Sequence, residues 1–129
     1  MTGEEKPVGN NQSVGAQGEE LAANFLRKAG YRIVERNFRC KGGEADIVAR
    51  DGKTLVFVEV KTRRSMTYGP PQLAVTSFKQ RQISKAALTW LAKNRQQDAP
   101  ARFDVIAVML LANGTHRIEH IPNAFDLAY

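Results

Sequence analysis

The sequence predicts an α/β fold, a mixed sheet flanked by helices, with elements in the order α-β-β-β-α-β-β. Three observations carry this. Apolar residues recur with a helical period in two segments, Leu21–Ala29 and Ile83–Leu91. Between and after them lie runs rich in β-branched and aromatic residues, including the continuously apolar Leu55-Val56-Phe57-Val58. Glycine-containing dipeptides that favour tight turns separate the runs.

In chain order, Ser13 is placed to cap a first helix. Leu21, Ala22, Phe25, Leu26 and Ala29 share one arc of it and Glu20, Asn24, Arg27 and Lys28 the other, and Gly30 ends it. Tyr31–Phe38 reads as a strand and Lys41-Gly42-Gly43 as a turn. Glu44–Arg50 and Thr54–Thr62 read as strands joined at Asp51-Gly52, the second of them central and covered on both faces. Arg63–Ala74, with Gly69-Pro70-Pro71, reads as a long loop that could move. Thr76 or Ser77 caps the next helix; Phe78, Ile83, Ala86, Ala87, Trp90 and Leu91 form its core side, with Lys79, Arg81, Lys85 and Lys93 mostly off it. Ala101–Leu111 is an apolar strand, Asn113-Gly114 a hairpin signal and Thr115–Ile121 a shorter, more polar edge strand. Residues 1–13 read as a flexible arm and residues 14–129 as one domain.

With 129 residues and 43% hydrophobic content the chain can bury a core, which excludes a wholly disordered basic tail. Cys40 is the only cysteine, so an internal disulfide or a cysteine-built zinc site is excluded. No apolar run suits a secretory signal or a membrane span, so a cytoplasmic protein without a membrane partner is expected. The net charge of +6 is unevenly distributed: eight of the 19 basic residues and none of the 13 acidic ones lie between Val60 and Gln97. A one-sided field of this kind suits a polyanion such as nucleic acid, whereas a solvated basic helix would need no partner.

Two placements conflict with simple core packing. Glu19 falls at the border of the first helix's apolar arc, so its carboxylate is expected to be partly buried and to need a partner, unless it only complements the helix dipole. Glu59-Val60-Lys61 follows the most apolar run, with Glu59 and Lys61 on one face of the strand. If Asp51-Gly52 form a two-residue loop, Asp46 faces Phe57, Glu44 faces Glu59, and Asp46 becomes the diagonal neighbour of Glu59. Two carboxylates so placed could share a hard divalent cation. The competing explanation is a structural ion network, a costly arrangement on a buried strand that would bind no metal.

Glu19 on a first helix, then Asp46, then Glu59-Val60-Lys61 resembles the PD-(D/E)xK nuclease superfamily, and within it the archaeal Holliday-junction resolvases. More closely, Gly18-Glu19-Glu20-Leu21-Ala22, Gly30-Tyr31, Arg36-Asn37-Phe38-Arg39, Gly43-Glu44-Ala45-Asp46, Val56–Lys61, Arg102-Phe103-Asp104-Val105 and Ile121-Pro122-Asn123-Ala124-Phe125 resemble the YraN family of small bacterial proteins, over about residues 15 to 126. The resemblance implies a restriction-endonuclease-like fold and phosphodiester hydrolysis with Mg²⁺ or Mn²⁺. It implies Asp46 and Glu59 as metal ligands together with the Val60 backbone carbonyl, Glu19 as the helix carboxylate and a further candidate ligand, and Lys61 orienting water or stabilising phosphorane charge. Ala45 stands where the superfamily often has Pro before the Asp. Glu44 has no certain counterpart and is either an extra ligand or a partner for Arg36 or Arg39.

Arg63, Arg64, Lys79, Arg81 and Lys85 would then line a phosphate path to the site, with Met66, Tyr68 and Pro70-Pro71 in a loop that orders on binding. The expected activity is hydrolysis of DNA, rather than RNA, on branched or single-stranded forms. The alternative is a nucleic-acid-binding module that keeps the fold without hydrolysis. A homodimer is raised by the resolvases, which cut two strands. His116 and His120 read as surface or packing residues, and Trp90 as core.

Overall fold

A computed structural model of the protein describes residues 13–64 and 75–128. The expected arm up to residue 12, and the loop residues Met66, Tyr68, Gly69, Pro70 and Pro71, lie outside the described residues. The elements are α1 (Val14–Lys28), β1 (Arg32–Cys40), β2 (Gly43–Asp51), β3 (Thr54–Arg63), α2 (Ser77–Lys93), β4 (Ala101–Leu110) and β5 (His116–Phe125), in the α-β-β-β-α-β-β order expected. The five strands lie side by side in sequence order, with β3–β4 parallel and every other neighbouring pair antiparallel. This is a restriction-endonuclease-like arrangement. A parallel pair needs a crossover, and α2 lies within it. No helix among the described residues is long and apolar enough to cross a membrane.

Continuous hydrophobicity in β3 has the expected cause. Leu55 and Phe57 point to the α2 face, where they meet Ile83, Ala86, Trp90 and Phe103, while Val56 and Val58 point to the α1 face with Ala22, Ala23, Leu26, Ile47 and Ile106. Trp90 is core, packed edge-on to Phe57 and donating its Nε1–H to Glu35. The Ser13 hydroxyl accepts from the Ala16 N–H and Thr76, not Ser77, caps α2 through the Lys79 N–H.

Three expectations are corrected. The β2–β3 loop is Gly52-Lys53: Asp51 remains in the ladder opposite Thr54, and Gly52, at φ +61°, takes the first loop position. An Asp51-Gly52 loop would need a left-handed aspartate, and Asp51 is not one. Asp46 is therefore level with Glu59 rather than with Phe57. Because the displacement along β3 is two residues, the predicted faces survive. Second, Phe78 is 62% exposed and outside the core, since it lies on the side of α2 away from Ile83 and Trp90. Third, β5 runs ten residues to Phe125, through Pro122, which an edge strand tolerates because one row of its N–H groups has no ladder partner.

Helix and sheet approach closely at Gly18. A Cβ there would overlap Thr62 Oγ1, so α1 reaches β3 only because position 18 lacks a side chain. On an exposed helix Gly→Ala gains about 1 kcal/mol; here Gly18→Ala is expected to lose about 1–3 kcal/mol by overpacking. Urea denaturation checks the sign, and Thr62→Gly in the same chain restores the helical gain.

Candidate active site

The site lies where β1, β2 and β3 part. Asn37 has a left-handed backbone, φ +54°, and the β1–β2 pairing passes from Arg36↔Ile47 to Phe38↔Ala45, leaving Asn37 across from Asp46. Here the alternation of both strands slips. Glu35 and Phe38 reach the α2 face although three residues apart, and so do Val48 and Ala45. The β2–β3 ladder also stops just before Asp46, at Ile47↔Val58. Released from regular pairing, Asp46 turns to β3, where its Oδ2 accepts the Val60 N–H at 2.8 Å.

Glu59 lies beside it on β3, 3% exposed. Its Oε2 meets Lys61 Nζ at 3.1 Å, and its Oε1 is buried without a hydrogen-bond partner, with Lys79 Nζ 4.0 Å away. Burial, then the charge of Asp46, push its carboxyl up to about 7, against the pull of Lys79 and Lys61. Glu19 approaches from α1. Its pKa is raised by burial and again by Asp46, and is lowered by Arg36, by a hydrogen bond with Asn37 and by Arg39. Asp46 thus couples electrostatically to a carboxylate on either side.

Of the residues predicted from sequence, Asp46, Glu59, Lys61 and the Val60 backbone come together, with Glu19 beside them. Lys79, expected on a phosphate path, turns into the site and bridges toward Glu59 and Glu44. Glu44 is opposite Arg39 in the β1–β2 ladder, yet its ion pair is with Lys79 at 3.8 Å; Arg36 instead engages Glu20 at 2.9 Å and Glu19 at 4.0 Å. Arg63 lines a shallow cavity of about 180 Å³ with Lys61 and Arg117. Arg64, Arg81 and Lys85 are exposed. Among the described residues no three His, Cys, Asp or Glu side chains form a group that could hold a metal by themselves.

Sequence reasoning missed Asn37 and Arg36 as supports of Glu19, and a second buried acid. Asp104 is fully buried on the α1 face. It accepts from Arg102 Nε at 3.0 Å and the Asn123 N–H at 2.9 Å, and pairs with His120 Nε2 at 2.7 Å. Arg102 reaches on to Tyr31 and Asp51, and His120 packs edge-on to Phe25 and Tyr31. His120 is therefore a packing residue, as expected, and also a hydrogen-bond partner of Asp104. The signal that marks Glu59, an acid inside an apolar strand, was equally present between Phe103 and Val105. What separates the two is satisfaction: both Asp104 oxygens are bonded, one Glu59 oxygen is not.

A family model described as "Uncharacterised protein family UPF0102" matches residues 18–108, which include Glu19, Asp46, Glu59 and Lys61. The chain belongs to this family. A UPF0102 protein of Geobacter metallireducens is 70% identical, over 93% of this chain and 98% of its own. One from Geobacter sulfurreducens is 65% identical over 95% and 99% of the two chains, and one from Nocardia farcinica 50% identical over 92% and 93%. This is the YraN family of the sequence-based resemblance, and the UPF0102 chain described here has the nuclease-like architecture that the resemblance implies.

Proposed function

We propose that this UPF0102 protein is a divalent-metal-dependent nuclease of the PD-(D/E)xK type that hydrolyses DNA phosphodiester bonds, with branched or single-stranded forms as its substrates. The observation that carries the reading is the buried Oε1 of Glu59, which has no hydrogen-bond partner, beside a second carboxylate, Asp46. Leaving such an oxygen without a partner costs folding free energy, which is expected at a ligand site and not in a structural ion network.

The donor set fits Mg²⁺ or Mn²⁺. Hard oxygen ligands suit these ions, and Mg²⁺ is commonly held by one or two carboxylates with water and substrate phosphate completing the shell, so three converging side chains are not required. Asp46 and Glu59 would hold the ion with the Val60 carbonyl, and Glu19 and Glu44 are candidates for further contact. When bound, the ion supplies charge neutralisation of the phosphodiester and a more acidic water at neutral pH. The chain's own groups do the rest. The Val60 N–H orients Asp46, and Glu59 holds the Lys61 ammonium, which orients the attacking water or meets developing phosphorane charge. Lys79 adds positive charge beside the scissile phosphate, and Arg63, Arg64, Arg81 and Lys85 would draw the backbone toward it.

The test compares wild type, Asp46→Ala and Glu59→Ala on linear, single-stranded and four-way-junction DNA with Mn²⁺, Mg²⁺ or chelator. Cleavage by wild type alone, lost in chelator, is expected. Equal cleavage by all three proteins would mean a contaminant and overturn the site. DNA binding without cleavage under any metal would favour the non-catalytic module.

A further inference from the structure

Among the described residues Phe78 is the most exposed of the large hydrophobic side chains, and it adjoins Lys79, the residue that α2 sends into the carboxylate site. It is followed on the outer side of the helix by Arg81, Lys85 and the 46% exposed Leu88. Phe78, Arg81, Gln82, Lys85 and Leu88 line a depression of about 430 Å³. A second depression, of about 350 Å³, shares Gly42 and Gln82 with it and opens at Glu44. Glu44 is ion-paired with Lys79, so the surface is continuous from the carboxylates, across Arg39 and Gln82, to Phe78.

We propose that Phe78 is a stacking platform for an unpaired base, with Arg81 and Lys85 holding the backbone of the same DNA strand as it leaves the site. This rests on the nuclease reading and narrows its substrate to DNA with unpaired nucleotides at the scissile position. The composition of the surface selects the occupant. An aromatic face flanked by cations matches a single strand, which offers both exposed bases and phosphates, whereas duplex DNA keeps its base faces stacked. A second copy of the chain fits poorly, because two-fold pairing of α2 would set Arg81 and Lys85 against their own counterparts on a helix that has no acid.

The test uses the full chain in chelator, so that nothing is cleaved. The probes are a single-stranded oligonucleotide carrying one 2-aminopurine and a duplex of equal length. Phe78→Ala is expected to bind the single strand about tenfold more weakly. The same variant loses the 2-aminopurine fluorescence change and keeps duplex affinity and salt dependence; Phe78→Tyr restores both single-strand readouts. Circular dichroism should be unchanged, since Phe78 is outside the core. Undiminished single-strand binding by Phe78→Ala, equal loss on both probes, or a wild-type dimer that Phe78→Ala dissociates would each overturn the platform. If wild type still cleaves DNA with Mg²⁺ or Mn²⁺, only the platform falls; if wild type neither binds nor cleaves DNA with either metal, the nuclease reading falls with it.

Discussion

Glu59→Gln is expected to make the metal-free protein more stable while abolishing its DNA cleavage. The carboxylate is buried, one of its oxygens has no hydrogen-bond partner, and burial together with the charge of Asp46 outweighs the pull of Lys79 and Lys61. Its folded pKa, about 7, lies above the ordinary 4.5, so the folded state binds the proton more tightly than the unfolded chain. Stability from this group is fully present below 4.5 and is lost as the pH rises through 7. The loss is on the order of 3 kcal/mol. Gln cannot ionise, so in chelator the variant should match wild type near pH 4.5 and exceed it by several degrees in Tm above pH 7. Cleavage should meanwhile fall on the order of 10³-fold, because a neutral amide is a poor ligand for a hard cation and no longer anchors Lys61. Thermal melts across pH together with a cleavage assay check both halves. A variant less stable than wild type at high pH would show that Glu59 is a satisfied structural residue.

Asp104→Ala is expected to have the opposite character: a loss of about 3–5 kcal/mol with no direct effect on the chemistry. That is a large part of the ~5–15 kcal/mol that holds a domain of this size together. Burial acts to raise the Asp104 pKa, but the hydrogen bonds from His120, Arg102 and the Asn123 N–H outweigh it and hold the carboxyl below the ordinary 3.8. For this group the unfolded chain takes up the proton first, so its stabilisation is present above 3.8 and is lost as the pH falls through the lower, folded value. Removing the carboxylate also leaves the Arg102 guanidinium and the His120 ring without their shared acceptor. Urea denaturation at neutral pH and at pH 3 should show a large deficit in the variant at the first and a smaller one at the second. An equal deficit at both would assign the cost to packing alone. The two acids together predict that the metal-free protein is most stable between the acid limb set by Asp104 and the rise of Glu59.

The two variants also separate what could be read from the residues alone. Element order followed from periodicity, and β3 was recognised as central because Leu55–Val58 must be covered on both faces, as the two core clusters show. The carboxylates were legible because an acid after such a run has no packing reason to be there. The same signal at Asp104 was passed over, since nothing local distinguishes an acid whose oxygens are all bonded from one left open. Phe78 was misplaced because a helical wheel gives the width of an apolar arc and not the depth to which the sheet covers it. The hairpin register erred by a single loop position, where Asp-Gly and Gly-Lys were both available and only the backbone sign at Asp51 chose between them.

By itself, then, the chain determined the fold class and the family resemblance and pointed to Glu19, Asp46, Glu59 and Lys61 as candidate site residues, because these depend on local spacing and residue chemistry. The tertiary structure alone decided how they meet. The slip at Asn37 and Asp46 turns a carboxylate toward the Val60 N–H, Gly18 lets α1 come close enough to bring Glu19 alongside, and α2 delivers Lys79 across the sheet. Each of these joins residues from different elements, and the free energy that places them, burial on two faces of one sheet, is not a property of any segment taken alone.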